Sequence, residues 1–426
     1  MKSRLPEKVF AVYVSLFYLL PGIAFYFGFR VDFYNYPHLA VPDVVHGVLL
    51  LLAVALGLLL ERETRGGMSA CCGPSRPQKW LWWLLATLIA VSSYGYFAEL
   101  SGWRYSEASL SEDISLGTIA YISTPPIIEF LVFREIFFSD ICGARRRASR
   151  LRALMLGLSA ALSASGIGPM LLAAIVFIFG FFPDESRRII YRRQRNTSQS
   201  GRSLFTWLSA VPVVVSIAAA AILSGELIKT GGQLDLVIFA YEEIPAVAFV
   251  EYFVGRFSTA WVSLLNALSV HTSSPFDGVI VNLVAPLQSF FFRLDTLIGG
   301  LMSVPRPSPN TLSRINYELI TATALRAREG TSPGLLATFA LSAPFWLSGV
   351  LLAFYVAAVA RILAKLSAVL PARATWVGCG AVLYFFSSFF SSPLDLLLIF
   401  DQSTMSVVIF YVFIRRRYRS RGISNE

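Results

Sequence analysis

The sequence predicts an all-α, polytopic membrane protein of about ten transmembrane helices with one large extracytoplasmic loop carrying amphipathic helices. Three observations predict it. Of 426 residues, 55% are hydrophobic and only 15% charged, with a mean hydropathy of +0.63, far more apolar than a soluble domain. Long apolar runs recur along the whole chain, separated by short runs of arginine. Residues 225–334 break that rhythm by interleaving carboxylates, arginines, hydroxyls and aromatics with apolar patches, and a loop of that size is too large to be a connector.

The net charge of +10 would suit nucleic acid if the cations formed a patch, but they sit between apolar segments. That is positive-inside patterning, and no nucleic-acid partner is implied. Cys71, Cys72, Cys142 and Cys379 all lie outside 225–334, so neither a disulfide framework nor a cysteine-rich metal site is implied. Adjacent Cys71-Cys72 has the wrong spacing for CxxC. Met1 to Lys8 is charged and precedes an apolar run, as in a signal peptide, but the run is long and no small-residue cleavage site follows. It reads as a retained first helix.

A spanning helix needs about 20 apolar residues. Span one covers Phe10 to Phe29 and span two Val44 to Leu60, joined by a loop with Asp32, Tyr34, Tyr36 and His38. Glu61 to Lys79 carries Arg62, Arg65, Arg76 and Lys79 and belongs inside. Span three, Trp80 to Ala98, opens on an aromatic belt of Trp80, Trp82 and Trp83. The loop after it has Glu107, Glu112 and Asp113 against Arg104, which suits the outside. Span four, Leu116 to Phe138, contains Pro125, Pro126, Glu129, Arg134 and Glu135. Polar groups at that depth face a protein interior or a cavity, or form a cluster near the inner surface.

Arginine-rich loops at 139–152 and 184–202 must both be inside, so an even number of crossings fits between them. The 31 residues from Ala153 to Pro183 give about 46 Å of helix, against about 60 Å for two full crossings. They form either two abbreviated helices turning at Ser165 to Pro169 or a re-entrant hairpin. Span seven, Ser203 to Ser224, delivers the chain to the outer loop, and span eight, Leu335 to Leu363, returns it. Spans nine, Trp376 to Phe390, and ten, Pro393 to Ile414, lead to the basic tail Arg415 to Arg421, inside. Within the loop, Leu234 to Val254 and Val279 to Met302 read as interface-lying elements, because one further crossing would put the terminal arginines outside. Three regions follow: an N-terminal bundle, 1–224; a periplasmic loop, 225–334; and a C-terminal bundle with a cytoplasmic tail, 335–426.

The loop holds nine carboxylates and seven cations, and six of the seven are arginine. Arginine offers a planar fork to phosphate oxygens and is less hydrated than lysine, which suits a phosphate site at a membrane surface; head-group anchoring is the plainer use. Arg314 and Glu318 are four apart and share one helix face, with Asn316 and Tyr317 beside them. An i,i+4 surface pair alone is worth only ~0.3 to 0.5 kcal/mol. Arg256 opens a polar segment, Arg256-Phe-Ser-Thr-Ala-Trp, after Glu251, and Thr331-Ser332-Pro333-Gly334 starts span eight as an anion-binding helix N-terminus would. There is no GxxxxGK[ST] or HExxH, and no DxD in the loop, so nucleotide hydrolysis, zinc proteolysis and metal-dependent sugar-nucleotide transfer lack their parts. His271 reads as a loop histidine.

Multi-span topology, a short helix pair between basic loops, one large outer loop with spaced arginines, Gly330-Thr-Ser-Pro-Gly-Leu-Leu-Ala, and Trp346-Leu-Ser-Gly-Val together resemble the Wzy-type O-antigen polymerases. Arg256-Phe-Ser-Thr and Arg314 with Glu318 look like that family's loop arginines and neighbouring carboxylate. The resemblance implies a GT-C-like membrane glycosyltransferase of lipopolysaccharide biosynthesis, joining repeat units on undecaprenyl diphosphate at the outer face of the cytoplasmic (inner) membrane. It implies no metal or other cofactor; membrane lipids, the lipid-linked oligosaccharide and a chain-length regulator of the Wzz type are the partners.

Arginines that neutralise a leaving diphosphate replace both metal and general acid, and one carboxylate suffices as base for the acceptor hydroxyl. The implied roles place Arg314 and Arg256 on the diphosphate, Arg326 or Arg328 on diphosphate or glycan, and Glu318 as base or as the group orienting Arg314. Tyr317, Asn316, Thr331, Ser332, Glu251 and Arg293 complete the substrate contacts. Two alternatives stand beside this. An O-antigen ligase uses the same donor but transfers to lipid A core, with a prominent loop histidine for which His271 is the one candidate. A lipid-linked glycan flippase would show internal repeats and paired broken helices, and only one short pair is found.

Overall fold

The protein's computed structural model describes residues 5–30, 34–63, 88, 116–138, 146–162, 167–181, 191–192, 246–273, 312–321, 332–369, 373–374, 376–391, 393 and 402–422. These are almost entirely helical, as expected. Three helical stretches among them, Leu5–Tyr26, Val41–Glu61 and Trp346–Ser367, are long and apolar enough to cross a membrane. Their outward residues, among them Leu19, Ile23, Val48, Leu52, Leu56 and Phe354, are exposed, an apolar surface that water penalises and hydrocarbon does not.

The chain divides into two compact units, 71–243 with 369–378, and 1–70 with 244–368 and 379–426. The larger joins the first spans to the central stretch and the C-terminal helices, so packing groups the chain differently from sequence order. Its elements are α1 (Leu5–Val14), a π-helical turn (Ser15–Leu19), α2 (Leu20–Tyr26) and α3 (Val41–Glu63). In the other unit α4 (Leu116–Phe138), α5 (Arg146–Leu162) and α6 (Ile167–Phe181) follow. The larger unit resumes with α7 (Ala246–Ser273), α8 (Leu312–Thr321), α9 (Leu335–Ser342), α10 (Phe345–Val369), α11 (Trp376–Phe385), α12 (Ser388–Ser391) and α13 (Gln402–Gly422).

In the smaller unit, α4 has the bounds expected for span four and stays helical through Pro125 and Pro126, with Glu135 buried. The short stretch after it is two abbreviated helices packed on each other: a Cβ on Gly157 of α5 would lie 3.1 Å from the Phe177 ring of α6. At 17 and 15 residues they are about 25 and 22 Å long. A two-residue antiparallel ladder pairs Tyr191 with Ala374 and Arg192 with Arg373. It ties together two basic loops that the arginine pattern assigns to the same side.

The larger unit is keyed by a few close contacts. His46 Nε2 lies 2.8 Å from Ser348 Oγ, Ala53 faces Gly349, and a Cβ on Gly57 would meet the Ala353 carbonyl at 2.5 Å and Val356 at 2.7 Å. Residue numbers rise together along these contacts, so α3 and α10 run parallel.

The first span and α7 are also parallel: the Phe17 and Phe257 rings lie 5.5 Å apart, tilted by 56°, and the Trp261 ring comes within 3.5 Å of a Cβ on Gly22; farther along α7, Leu268 reaches 3.2 Å from a Cβ on Gly47 of α3. Between Ala260 and Leu268 every residue but Trp261 is buried. The segment read as polar, Arg256 to Trp261, is thus covered by protein at Ser258 and Ala260. The segment is part of a 28-residue helix packed against α2, α3, α8 and α9. Small residues explain the closeness, since Ala260, Ser263 and Ala267 share the face on which Gly334 rests.

Span eight is not one long helix. Pro344 has no amide hydrogen and disfavours α geometry in the residue before it. Ala343 is accordingly extended (φ −148°, ψ 152°), separating α9 from α10. Gly334 abuts Ala260, eight residues short of Leu268, so α9 begins about 12 Å below the level of Gly47. Ser348, near the start of α10, is level with His46. The two helices therefore form a hairpin, α9 rising toward its bend and α10 descending from it. All eight residues of α9 are buried.

Candidate functional site

The candidate site is built on α8, whose sequence Leu-Ser-Arg-Ile-Asn-Tyr-Glu-Leu-Ile-Thr places Leu312, Asn316 and Ile320 at four-residue spacing. All three are buried, and α8 packs on α7. Glu318, two residues from Asn316 and so about 200° round the helix, is exposed, and Tyr317 is half-buried on the flank. Arg314 is in register with Glu318 on that outward face.

A strap, residues 34–40, holds α8 to α7. The Asn35 amide donates to the Ile320 carbonyl (2.6 Å), Asn35 Nδ2 donates to Asn266 Oδ1 (3.3 Å), and Asn266 Nδ2 donates to the Asn35 carbonyl (2.8 Å). Tyr34 Oη lies 2.9 Å from Thr259 Oγ1. Asn266 is 3% exposed, and these bonds give its amide the partners that a buried polar group requires. Beyond the strap, Asp43 Oδ2 accepts the Ala40 amide at 2.7 Å, half of a capping box that fixes where α3 begins.

The start of α9 is the second polar feature, and its amides are occupied by the protein itself. Gly334 donates to the Ser391 carbonyl (2.7 Å), Leu335 to Tyr13 Oη (2.9 Å) and Leu336 to Tyr18 Oη (3.1 Å). Tyr13 Oη donates onward to the Phe390 carbonyl (2.9 Å) and lies 3.3 Å from Tyr18 Oη. Five residues on an α-helix differ by about 140°; the intervening π-helical turn, Ser15–Leu19, brings the two tyrosines onto one face. Gly334 has φ +80°, and a Cβ there would meet Ala260 at 2.7 Å and the two hydroxyls at 3.0 and 3.3 Å. An anion at this helix terminus, as Thr331 to Gly334 suggested, would have to displace three internal hydrogen bonds.

Of the residues expected at a site, Glu318 and the backbone of Arg314 share the outward face of α8 with Tyr317 on its flank, whereas Asn316, expected beside them, is buried on the opposite face. Ser332 is exposed before the buried Pro333 and Gly334. Glu251 and Arg256 lie in α7, where, as with Arg314, only the backbone is described. Arg256 is ten residues before Asn266 but three before Thr259, so its backbone is about 15 Å along α7 from the Asn35 contact and about one turn from the Tyr34 contact. Arg293, Arg326, Arg328 and Thr331 lie outside the described residues, as does Val279 to Met302. Sequence reasoning missed the strap and the paired tyrosines: Tyr34 and Tyr36 were visible as loop aromatics, but nothing local marks Asn35 as the partner of Asn266. No family model, no curated protein and no solved structure matches the chain.

Proposed function

We propose that the chain is a polysaccharide repeat-unit polymerase of the Wzy type, a membrane glycosyltransferase that transfers glycan from a lipid diphosphate carrier onto another lipid-linked repeat unit. The observation that carries the reading is the outward face of α8. It sets the Arg314 position and an exposed carboxylate, Glu318, one turn apart on a helix docked against a buried helix of a membrane protein. A lipid-linked substrate keeps its prenyl tail in the bilayer and its diphosphate at the surface, which is where such a face is useful.

In this reading the Arg314 guanidinium neutralises the departing diphosphate, a charge that develops as the glycosidic oxygen leaves. Glu318 accepts the proton of the attacking sugar hydroxyl, and its exposure leaves room for an acceptor glycan. Tyr317 offers an aromatic edge beside the pair. The topology of about ten spans, with both ends cytoplasmic and the α8 face on the periplasmic side, belongs to the same proposal.

Purified protein supplied with lipid-linked repeat units, and scored for a ladder of products, tests it. A ladder lost in Arg314→Lys and Glu318→Gln, with both variants present at normal abundance, is the expected result. With lipid A core also supplied, transfer of glycan to it and no ladder would identify a ligase instead.

A further inference from the structure

We infer that Arg30, at the end of the first span, is a further phosphate-binding residue on the same rim as α8, for the diphosphate of a lipid-linked substrate; this rests on the function proposed above. The end of α2 shows how the residue is set. Gly28 takes φ +88°, the Phe29 amide donates to the Ala24 carbonyl (3.0 Å) and the Gly28 amide to the Phe25 carbonyl (3.0 Å). This is a Schellman motif, which turns the chain sharply back after the helix.

The turn places the Arg30 guanidinium 4.9 Å from the Phe25 ring centroid and 5.9 Å from that of Tyr36. Those two rings stack on each other, 5.2 Å apart and 25° from parallel. Tyr36 follows Asn35 in the strap that bonds α7 and α8. Arg30 is thus fixed by the same loop that fixes the Glu318 helix.

A guanidinium resting on an aromatic face is held through its π surface. Its N–H groups lie in its own plane and remain available for a bidentate oxyanion. Arg30 is exposed, and among the described residues its guanidinium rests on those two rings. A pre-oriented fork at the surface, one helix from the candidate base, fits a phosphate better than it fits a freely moving anchor. A lipid head group offers the same chemistry, so the test must separate the two.

Full-length protein is placed in nanodiscs of phosphatidylcholine alone, or with phosphatidylglycerol, and farnesyl diphosphate is titrated as the probe. Losing a charge-assisted pair gives an expected weakening of about ten- to a hundredfold for Arg30→Ala in both discs. Arg30→Lys should recover little of it. Phe25→Leu, which keeps the charge but removes the platform, should weaken binding about two- to fivefold. Thermal midpoints close to that of the parent protein establish that the variants are folded; should Arg30→Ala not fold, Arg30→Lys and Phe25→Leu carry the test.

Parent-like binding by the folded variants overturns the inference and leaves the proposed function standing. An effect confined to the phosphatidylglycerol discs makes Arg30 a head-group anchor and also overturns it. Absence of binding by the parent protein in either disc removes the proposed function, and the inference with it.

Discussion

The tyrosine pair that receives the start of α9 predicts an ordering of three substitutions. Tyr13 serves two backbone groups, accepting from Leu335 and donating to Phe390, whereas Tyr18 serves one, the Leu336 amide. Both side chains are 3% exposed, so water does not replace a lost partner. A buried group left unsatisfied costs roughly 1 to 3 kcal/mol. Tyr18→Phe should therefore cost about 1 to 3 kcal/mol and Tyr13→Phe about 2 to 6, with little change in packed volume. Gly334→Ala meets a different obstacle. Its φ of +80° and ψ of 167° define a region used almost only by glycine, costing about 1 to 3 kcal/mol. Its Cβ would also press on Ala260 at 2.7 Å, adding about 1 to 3 kcal/mol of overpacking. Thermal midpoints of the three variants in one detergent, with the parent protein alongside, read the ordering. Tyr18→Phe falling below Tyr13→Phe, or a parent-like Gly334→Ala, would refute the network as described. Because the hydroxyls are 3.3 Å apart, the double Tyr→Phe variant should be non-additive.

Other outcomes follow from the same contacts. Cysteines at Ala53 and Gly349 should cross-link on mild oxidation, since a Cβ on Gly349 lies 3.9 Å from that of Ala53, close to the ~3.8 Å of a disulfide; failure would contradict parallel α3 and α10. Gly57→Leu should lower folded yield sharply, because even a Cβ there meets the Ala353 carbonyl at 2.5 Å, and parent-like yield would mean that the helices separate. Impermeant thiol reagent on intact spheroplasts should label a cysteine at His38, in the exposed strap, and spare one at Ser420 in the basic tail; the reverse pattern would invert the topology. Arg314→Lys should reduce chain extension about a hundredfold, as loss of a transition-state donor does, and near-parent product ladders would return Arg314 to head-group anchoring.

Apolar length made the lipid-facing helices legible, because a helix against hydrocarbon must be apolar on its outer side and has no alternative. Leu5–Tyr26 and Val41–Glu61 fall where the sequence placed them for that reason. Arginine positions anticipated that residues 191–192 and 373–374 face the same side, and they pair. What hydropathy could not show is a helix buried among helices. Along α7, Ser258, Ser263 and Asn266 are all buried, and Glu251 and Arg256 lower the average further, so the segment scores as a polar loop. Its true environment is other protein, where small residues permit close approach and an amide such as Asn266 is satisfied by Asn35 more than two hundred residues away. That pairing is invisible to any local pattern. The same limit applied to span eight, whose apolar run hid a break that Pro344 alone announced. The α8 face was legible, because Arg314 and Glu318 need only helical register to meet. Its docking depended on Leu312, Asn316 and Ile320, which are ordinary residues until α7 is known to lie beneath them.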